Sequence, residues 1–134
     1  MLVNMSGGKK VENIINEIVE PVLLWTNPDP TSNFQYQTVN VDGTDYDGYI
    51  VEIRNHISDN STAACFVPKS TQRRLIAAYN NSASVIYGWR EILSATDTTV
   101  GFAFGGYINS NIYSMVEDTK YGVPTRIWGV KFTL

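Results

Sequence analysis

The sequence predicts an all-β fold, an antiparallel β-sandwich of jelly-roll type, preceded by a short N-terminal α-helix. Three observations predict it. From Val22 onward, short runs alternate apolar with polar residues, and turn clusters separate them at intervals of roughly 8–14 residues, the spacing of strands in a sandwich or barrel. Ser, Thr and Asn are abundant, with 12 Asn, 12 Thr and 10 Ser among 134 residues. Surface helices would want Glu, Lys, Arg and Ala instead. Finally, no βαβ alternation is visible, and one buried face per strand implies antiparallel sheets with one wet side.

The elements follow in order. Residues 1–21 form a leader and short helix, and residues 22–134 form the sandwich. Ser6-Gly7-Gly8 reads as a flexible leader. Lys9 to Glu20 has helical periodicity, with Val11, Ile15, Ile18 and then Val22 spaced 4, 3 and 4, and Pro21 stops the helix. Ile15 and Ile18 would occupy a and d positions, where Ile favours three or more strands over two. Val11, Ile15 and Ile18 are therefore candidate oligomer-interface residues at the end of a trimeric stalk. The same stripe also suits a short helix laid on the domain's own core, or a frayed leader.

Asn27-Pro28-Asp29-Pro30 is an irregular loop, since each proline lacks a donor and biases its predecessor away from helix. Phe34 to Val41 is a strand with Val39 and Val41 on one side. Asp42-Gly43 and Asp47-Gly48 are turns. Tyr49, Val51 and Ile53 share a face, opposite Glu52, Arg54 and His56. Asp59-Asn60 turns the chain, and Ala63, Cys65 and Val67 share the next inward face. Gln72 to Tyr79 and Ser84 to Leu93 form a hairpin around Asn80-Asn81-Ser82. Val100, Phe102 and Phe104 face one way, with small residues opposite. Trp128, Val130 and Phe132 are expected inward, and Ile127 and Lys131 outward. Asn109 to Tyr121 is a weakly patterned loop, and the strands number seven or eight.

Composition excludes several functions. One His and one Cys rule out an intrachain disulfide and any zinc site built from several Cys and His. The net charge is -3, and no Lys/Arg run exceeds two residues, so the basic stripe of a nucleic-acid binder is missing. No apolar stretch approaches the roughly 18 residues of a membrane span. The first ten residues lack the apolar core of a secretory signal. No cofactor or metal is expected.

Chemistry-bearing residues are few. A Ser-His-Asp triad would need His56, yet no Ser sits in a strained Gly-x-Ser-x-Gly elbow. Cys65 is expected in the core rather than activated as a nucleophile. Glu52 and Glu91 are the acids to test for glycoside cleavage, but as strand residues they suit cross-strand pairing with arginines better. Asp42 to Gly48 brings three carboxylates close, with acid spacing unlike an EF-hand, so it is expected to be a tight connection. No catalytic residue is assigned. The aromatics remain: three Trp and eight Tyr. Such rings stack on sugars or fill protein interfaces. Trp89, Tyr107, Tyr113 and Tyr121 are the candidate ligand-binding residues, while Trp128 is expected in the core.

Leu23-Leu24-Trp25-Thr26-Asn27-Pro28-Asp29-Pro30-Thr31-Ser32-Asn33-Phe34 resembles the opening of a module in tail and minor structural proteins of phages and prophages of gut Firmicutes. Tyr46-Asp47 and Val51-Glu52-Ile53 match its next turn and strand. Val123-Pro124 and Ile127-Trp128-Gly129-Val130-Lys131 match its closing motif, with Trp128 where the module has Tyr. The turn entry differs too, being Val41-Asp42-Gly43 here. The resemblance implies a virion structural or host-attachment (receptor-binding) domain, homotrimeric and without enzymatic activity. Its partners would be a bacterial cell-surface glycan or other virion proteins, and it would be made in the host cytoplasm without a signal peptide. The alternative readings are a stand-alone carbohydrate-binding module of a gut bacterium and a small glycoside hydrolase.

Overall fold

The computed structural model of the chain describes residues 20–80, 86–109 and 114–132. The predicted N-terminal helix, with Val11, Ile15 and Ile18, lies outside the described residues, as do Tyr113 and the Asn81-Ser82 turn. The described residues hold nine strands and no helix: β1 Val22–Thr26, β2 Gln37–Asn40, β3 Gly48–His56, β4 Asp59–Pro68, β5 Arg74–Asn80, β6 Ile86–Ala95, β7 Thr99–Asn109, β8 Met115–Glu117 and β9 Tyr121–Val130. They form two antiparallel sheets. The first has strand order β1-β9-β3-β4; the second has β2-β7-β6-β5, with β8 also paired to β7.

The core lies between the sheets. β3 contributes Tyr49, Val51 and Ile53, all fully buried, while Ile50, Glu52, Arg54 and His56 are only partly covered. This is the expected alternation, and it leaves the polar set on the wet face. Val67, Ile76, Ala78, Ile92, Val100, Phe102, Val123 and Ile127 meet them, closed off by Phe34, Val39 and Val41. Each fully buried Val, Ile or Phe contributes about 1.5–3 kcal/mol relative to exposure.

Four expectations need correction. In β9 the faces are reversed. Val51 pairs with Ile127, and Ile50 with Trp128, so Ile127 is fully buried, Trp128 faces outward and Phe132 is exposed. Both parities of this central strand carry large apolar residues, so alternation alone favours the wrong one. Phe104 is also outside. Arg90 pairs with Gly105 and Ile92 with Phe102, which puts one extra residue in β7. That bulge turns Phe104 onto the outer face, where it packs edge-on against Tyr36 with ring centroids 5.5 Å apart. Cys65 is exposed. It shares the inner register with Val51, but β4 is an edge strand and its rim is incompletely covered. Partial burial still pushes the thiol up in pKa, against a lowering pull from Arg74. Finally, the weakly patterned loop contains β8, a three-residue strand.

Two buried polar side chains tie the sheets together. Asn55 on β3 accepts a hydrogen bond from the Gly88 N–H of β6 at 2.7 Å through Oδ1, and donates from Nδ2 to Asp59 Oδ2 at 2.9 Å. Arg90 is the second. Burial raises the Asp59 carboxyl in pKa, but hydrogen bonds from the Ser61 N–H, Asn55 and the Ser61 hydroxyl outweigh it and hold the group below its ordinary value. A carboxylate with a lowered folded-state pKa contributes stability above the unfolded value of about 3.9, and that stability is lost as pH falls through the folded value. Thermal melts from about pH 5 down to pH 2 should therefore show a shallower acid destabilisation for Asp59→Asn than for the wild type. Equal slopes would show that Asp59 does not couple to folding.

Candidate functional site

The three aromatic candidates among the described residues, Trp89, Tyr107 and Tyr121, do not form one site. Trp89 is 4% exposed, so it offers no ring face to a surface ligand. Gly106 pairs with it across the strands, and a Cβ at Gly106 would lie 1.9 Å from the Val116 carbonyl oxygen. That close approach lets β8 cover the indole. The indole Nε1 is buried without a hydrogen-bond partner among the described residues. Tyr107 and Tyr121 do converge, with ring centroids 4.7 Å apart, and His56 packs on Tyr121 at 4.4 Å. All three are half-buried. Burial, then Asp118 and Tyr107, push the Tyr121 hydroxyl up in pKa. His56 accepts the Ser58 N–H at Nδ1 at 3.0 Å, so a neutral ring carries its proton on Nε2. The row packs β3, β7 and β9 together by ring contact.

A second arrangement surrounds the Asn-Pro-Asp-Pro loop. β1 pairs with β9 as Leu23↔Trp128 and then Trp25↔Ile127, so Leu24 is an extra residue. This bulge turns Trp25 from the outer register to the side of core-facing Ile127, where it packs edge-on against Phe34 at 6.4 Å. β1 and β2 are edge strands of opposite sheets. Between them lies a cleft of about 600 Å³ lined by Trp25, Asn27, Asp29, Asn33, Phe34 and the residues of β2. Its volume falls in the ordinary range of small-ligand sites, about 300–1,000 Å³.

The loop itself is pinned. Asn27 donates from Nδ2 to the Pro124 carbonyl and accepts the Asp29 N–H, both at 2.8 Å. Asp29 accepts the Ser32 hydroxyl at 2.6 Å and the Thr31 hydroxyl at 3.2 Å; these bonds hold its carboxyl below the ordinary pKa. Asn33 donates to Thr119 Oγ1 at 3.0 Å. On the far side of the loop, a smaller cleft of about 290 Å³ is floored by Glu52, Arg54, Thr125 and Arg126. There Glu52 accepts from Thr125 Oγ1 at 2.6 Å and Arg126 Nε at 3.0 Å. Sequence reasoning missed these clefts. The available signal was an aromatic followed by a run of amide, hydroxyl and proline residues.

The third arrangement is apolar. On the outer face of the second sheet, β5 places Leu75 opposite Glu91, Ala77 opposite Trp89 and Tyr79 opposite Tyr87. Next to them stand Phe104 and Ile108 of β7 and Met115 of β8. The first sheet carries a smaller row across its outer face, with Leu23, Trp128, Ile50 and Phe66 in register.

Glu52 on β3 pairs with Arg126 on β9, and Glu91 on β6 with Arg73 just before β5, so both acids are engaged in ion pairs with arginines. Asp47 accepts the Phe132 N–H at 2.6 Å, and the Tyr46 N–H bonds to the Gly43 carbonyl, which makes residues 42–48 a tight connection. Among the described residues, no three of His, Cys, Asp and Glu gather as a metal site, and no helix is long and apolar enough to cross a membrane. No family model, curated protein or solved structure matches the chain.

Proposed function

We propose that this chain is a non-enzymatic, homotrimeric domain of a phage tail, acting as a structural or host-attachment module of the virion. The observation that carries the reading is the outer face of the second sheet. Leu75, Tyr79, Tyr87, Phe104 and Met115 stand on it 40–52% exposed. Soluble monomers rarely leave a contiguous apolar patch of this kind uncovered. A large apolar area removed from water by neighbouring copies drives association at about 25 cal/mol per Å² before the costs of binding. Residues 22–134 also provide a modest core by themselves, and assembly enlarges it.

The finer features belong to the same proposal. A jelly-roll winding is supported by the chain's passage between sheets, β1 in the first, β2 in the second, β3 and β4 back in the first. A helix over Lys9 to Glu20 would start the trimer axis. The stretch Leu23 to Phe34 supports the tail-protein reading by its resemblance to the opening of that module. The alternative, a stand-alone carbohydrate-binding module, is favoured by one feature, the cleft beside Trp25.

Light scattering on the full chain tests the reading. The expected mass is three times the 15.0 kDa chain, and Tyr87→Glu, which puts a charge in the centre of the apolar face, should drive it to the monomer. A wild-type chain that remains monomeric at high micromolar concentration contradicts the proposal and favours the carbohydrate-binding alternative.

A further inference from the structure

We infer that the cleft between the free edges of β1 and β2 binds a neutral saccharide, with Trp25 as the stacking ring and Gln37 and Asn33 as hydroxyl-bonding amides. The inference deepens the attachment reading and rests on it for biological meaning, while its chemistry stands on the cleft alone. Four observations converge on it.

First, the cleft has an aromatic element placed deliberately. Without the bulge at Leu24, Trp25 would share the outer face with Leu23; with it, the indole lines the cleft against Phe34. Pyranose rings carry apolar C–H faces that pack on such rings, much as bases and aliphatic groups do. Second, the walls are uncharged amides and hydroxyls. The one carboxylate, Asp29, has both oxygens engaged by the Thr31 and Ser32 hydroxyls; it keeps its negative charge and no Lys or Arg lines the cleft, so anionic ligands are disfavoured. Sugar hydroxyls both donate and accept, and amide side chains complement them in both directions. Gln37 is exposed, with only a weak contact from Nε2 to the Gln35 carbonyl at 3.3 Å, and Asn33 uses Nδ2 on Thr119, with no bond to its Oδ1 among the described residues.

Third, the site is held before any ligand arrives. The Asn27 bonds to Pro124 and Asp29, and the Phe34 N–H bond to the Thr119 carbonyl at 3.0 Å, fix both ends of the loop. A pre-set site avoids the ordering cost that weakens flexible ones. Fourth, the edges suit a sugar better than an added peptide strand. The bulge interrupts the regular register of β1, and β2 is only four residues long; both features blunt strand addition. Three copies in a trimer would multiply a weak single-site affinity into firm attachment.

The test uses the full chain and a glycan array of neutral oligosaccharides built from glucose, galactose, rhamnose and N-acetylhexosamine units. Array hits are then titrated by NMR, following indole and side-chain amide signals. The expected result is a hit whose titration shifts the Trp25 indole and the Gln37 and Asn33 amides, and leaves residues 107 and 121 unmoved. Trp25→Ala should weaken binding at least tenfold and Trp25→Phe should restore part of it. Gln37→Ala, at an exposed edge position, should weaken binding several-fold with the thermal midpoint unchanged. Any of three results overturns the inference: no hit on the array, shifts centred on Tyr107 and Tyr121, or binding indifferent to both Trp25→Ala and Gln37→Ala. Binding of extended peptides in place of glycans, with shifts in the β2 backbone amides, also overturns it. Failure here with a trimeric mass leaves the assembly reading standing, and binding by a monomer removes the assembly reading while this site stands.

Discussion

Arg90→Ala is expected to lower the thermal midpoint by about 10–20 °C, corresponding to about 3–5 kcal/mol in a domain of this size. Arg90 is fully buried. Its Nε donates to the Gly122 carbonyl at 2.9 Å, Nη1 to Ala103 at 2.9 Å and Nη2 to Tyr121 at 3.0 Å. One fixed fork thus joins β6 to β9 in the opposite sheet and to the bulge of β7 in its own. The Phe34 ring lies 5.3 Å from the guanidinium carbon and adds a cation–π contact. Burial pushes the Arg90 pKa down to about 10, which still leaves the group charged at neutral pH. Truncation would strand three carbonyls and open a cavity at once. Lysine keeps the charge but not the planar fork, so Arg90→Lys should fall between the wild type and the alanine variant. Calorimetry of the three proteins checks this. An Arg90→Ala midpoint within 3 °C of the wild type, well inside the expected shift, would show that the network is dispensable.

Gly122→Ala should be comparably damaging, about 3 kcal/mol or more, for two independent reasons. Gly122 has a φ of 58°, a left-handed conformation that disfavours any side chain by roughly 1–2 kcal/mol. A Cβ there would also lie 2.0 Å from the Trp89 carbonyl oxygen and 2.4 Å from its carbon. Those atoms belong to the backbone of β6, which has no rotamer to yield. Relief requires β9 to move off β6, and the Gly122 carbonyl is one of the three that Arg90 holds. The two substitutions therefore act on one junction. In a double-mutant cycle by urea unfolding, the combined loss should be clearly smaller than the sum of the single losses. Additive losses would show that the junction is not shared.

The strands and the inner face of β3 were legible because Tyr49, Val51 and Ile53 alternate with Glu52, Arg54 and His56, and one parity is plainly polar. β9 was not, since Val123 and Ile127 compete with Trp128 and Val130 for the interior, and side-chain bulk does not decide which face is covered. Phe104 and Trp25 were misplaced or overlooked for one shared cause. A one-residue bulge leaves no mark in an alternation pattern, yet it exchanges the two faces beyond it. Arg90 was invisible for another reason: an arginine between apolar neighbours on a strand is ordinarily a solvated residue, and its carbonyl partners come from residues 13 to 32 positions away. Of the candidate ligand-binding residues, Tyr107 and Tyr121 flank the long loop in the sequence, and in the fold their rings meet. The cleft beside Trp25 depends on two strand edges brought together by topology, which a linear reading does not assemble.

The central claim, that copies of the chain cover the outer face of the second sheet, is tested most directly by hydroxyl-radical footprinting of the assembled protein beside its Tyr87→Glu variant. Tyr79, Phe104 and Met115 are expected to be oxidised several-fold more slowly in the wild type, while Phe66 and Phe132, exposed on the other side of the sandwich, react equally in both proteins. Equal oxidation of Tyr79, Phe104 and Met115 in the two proteins would contradict it.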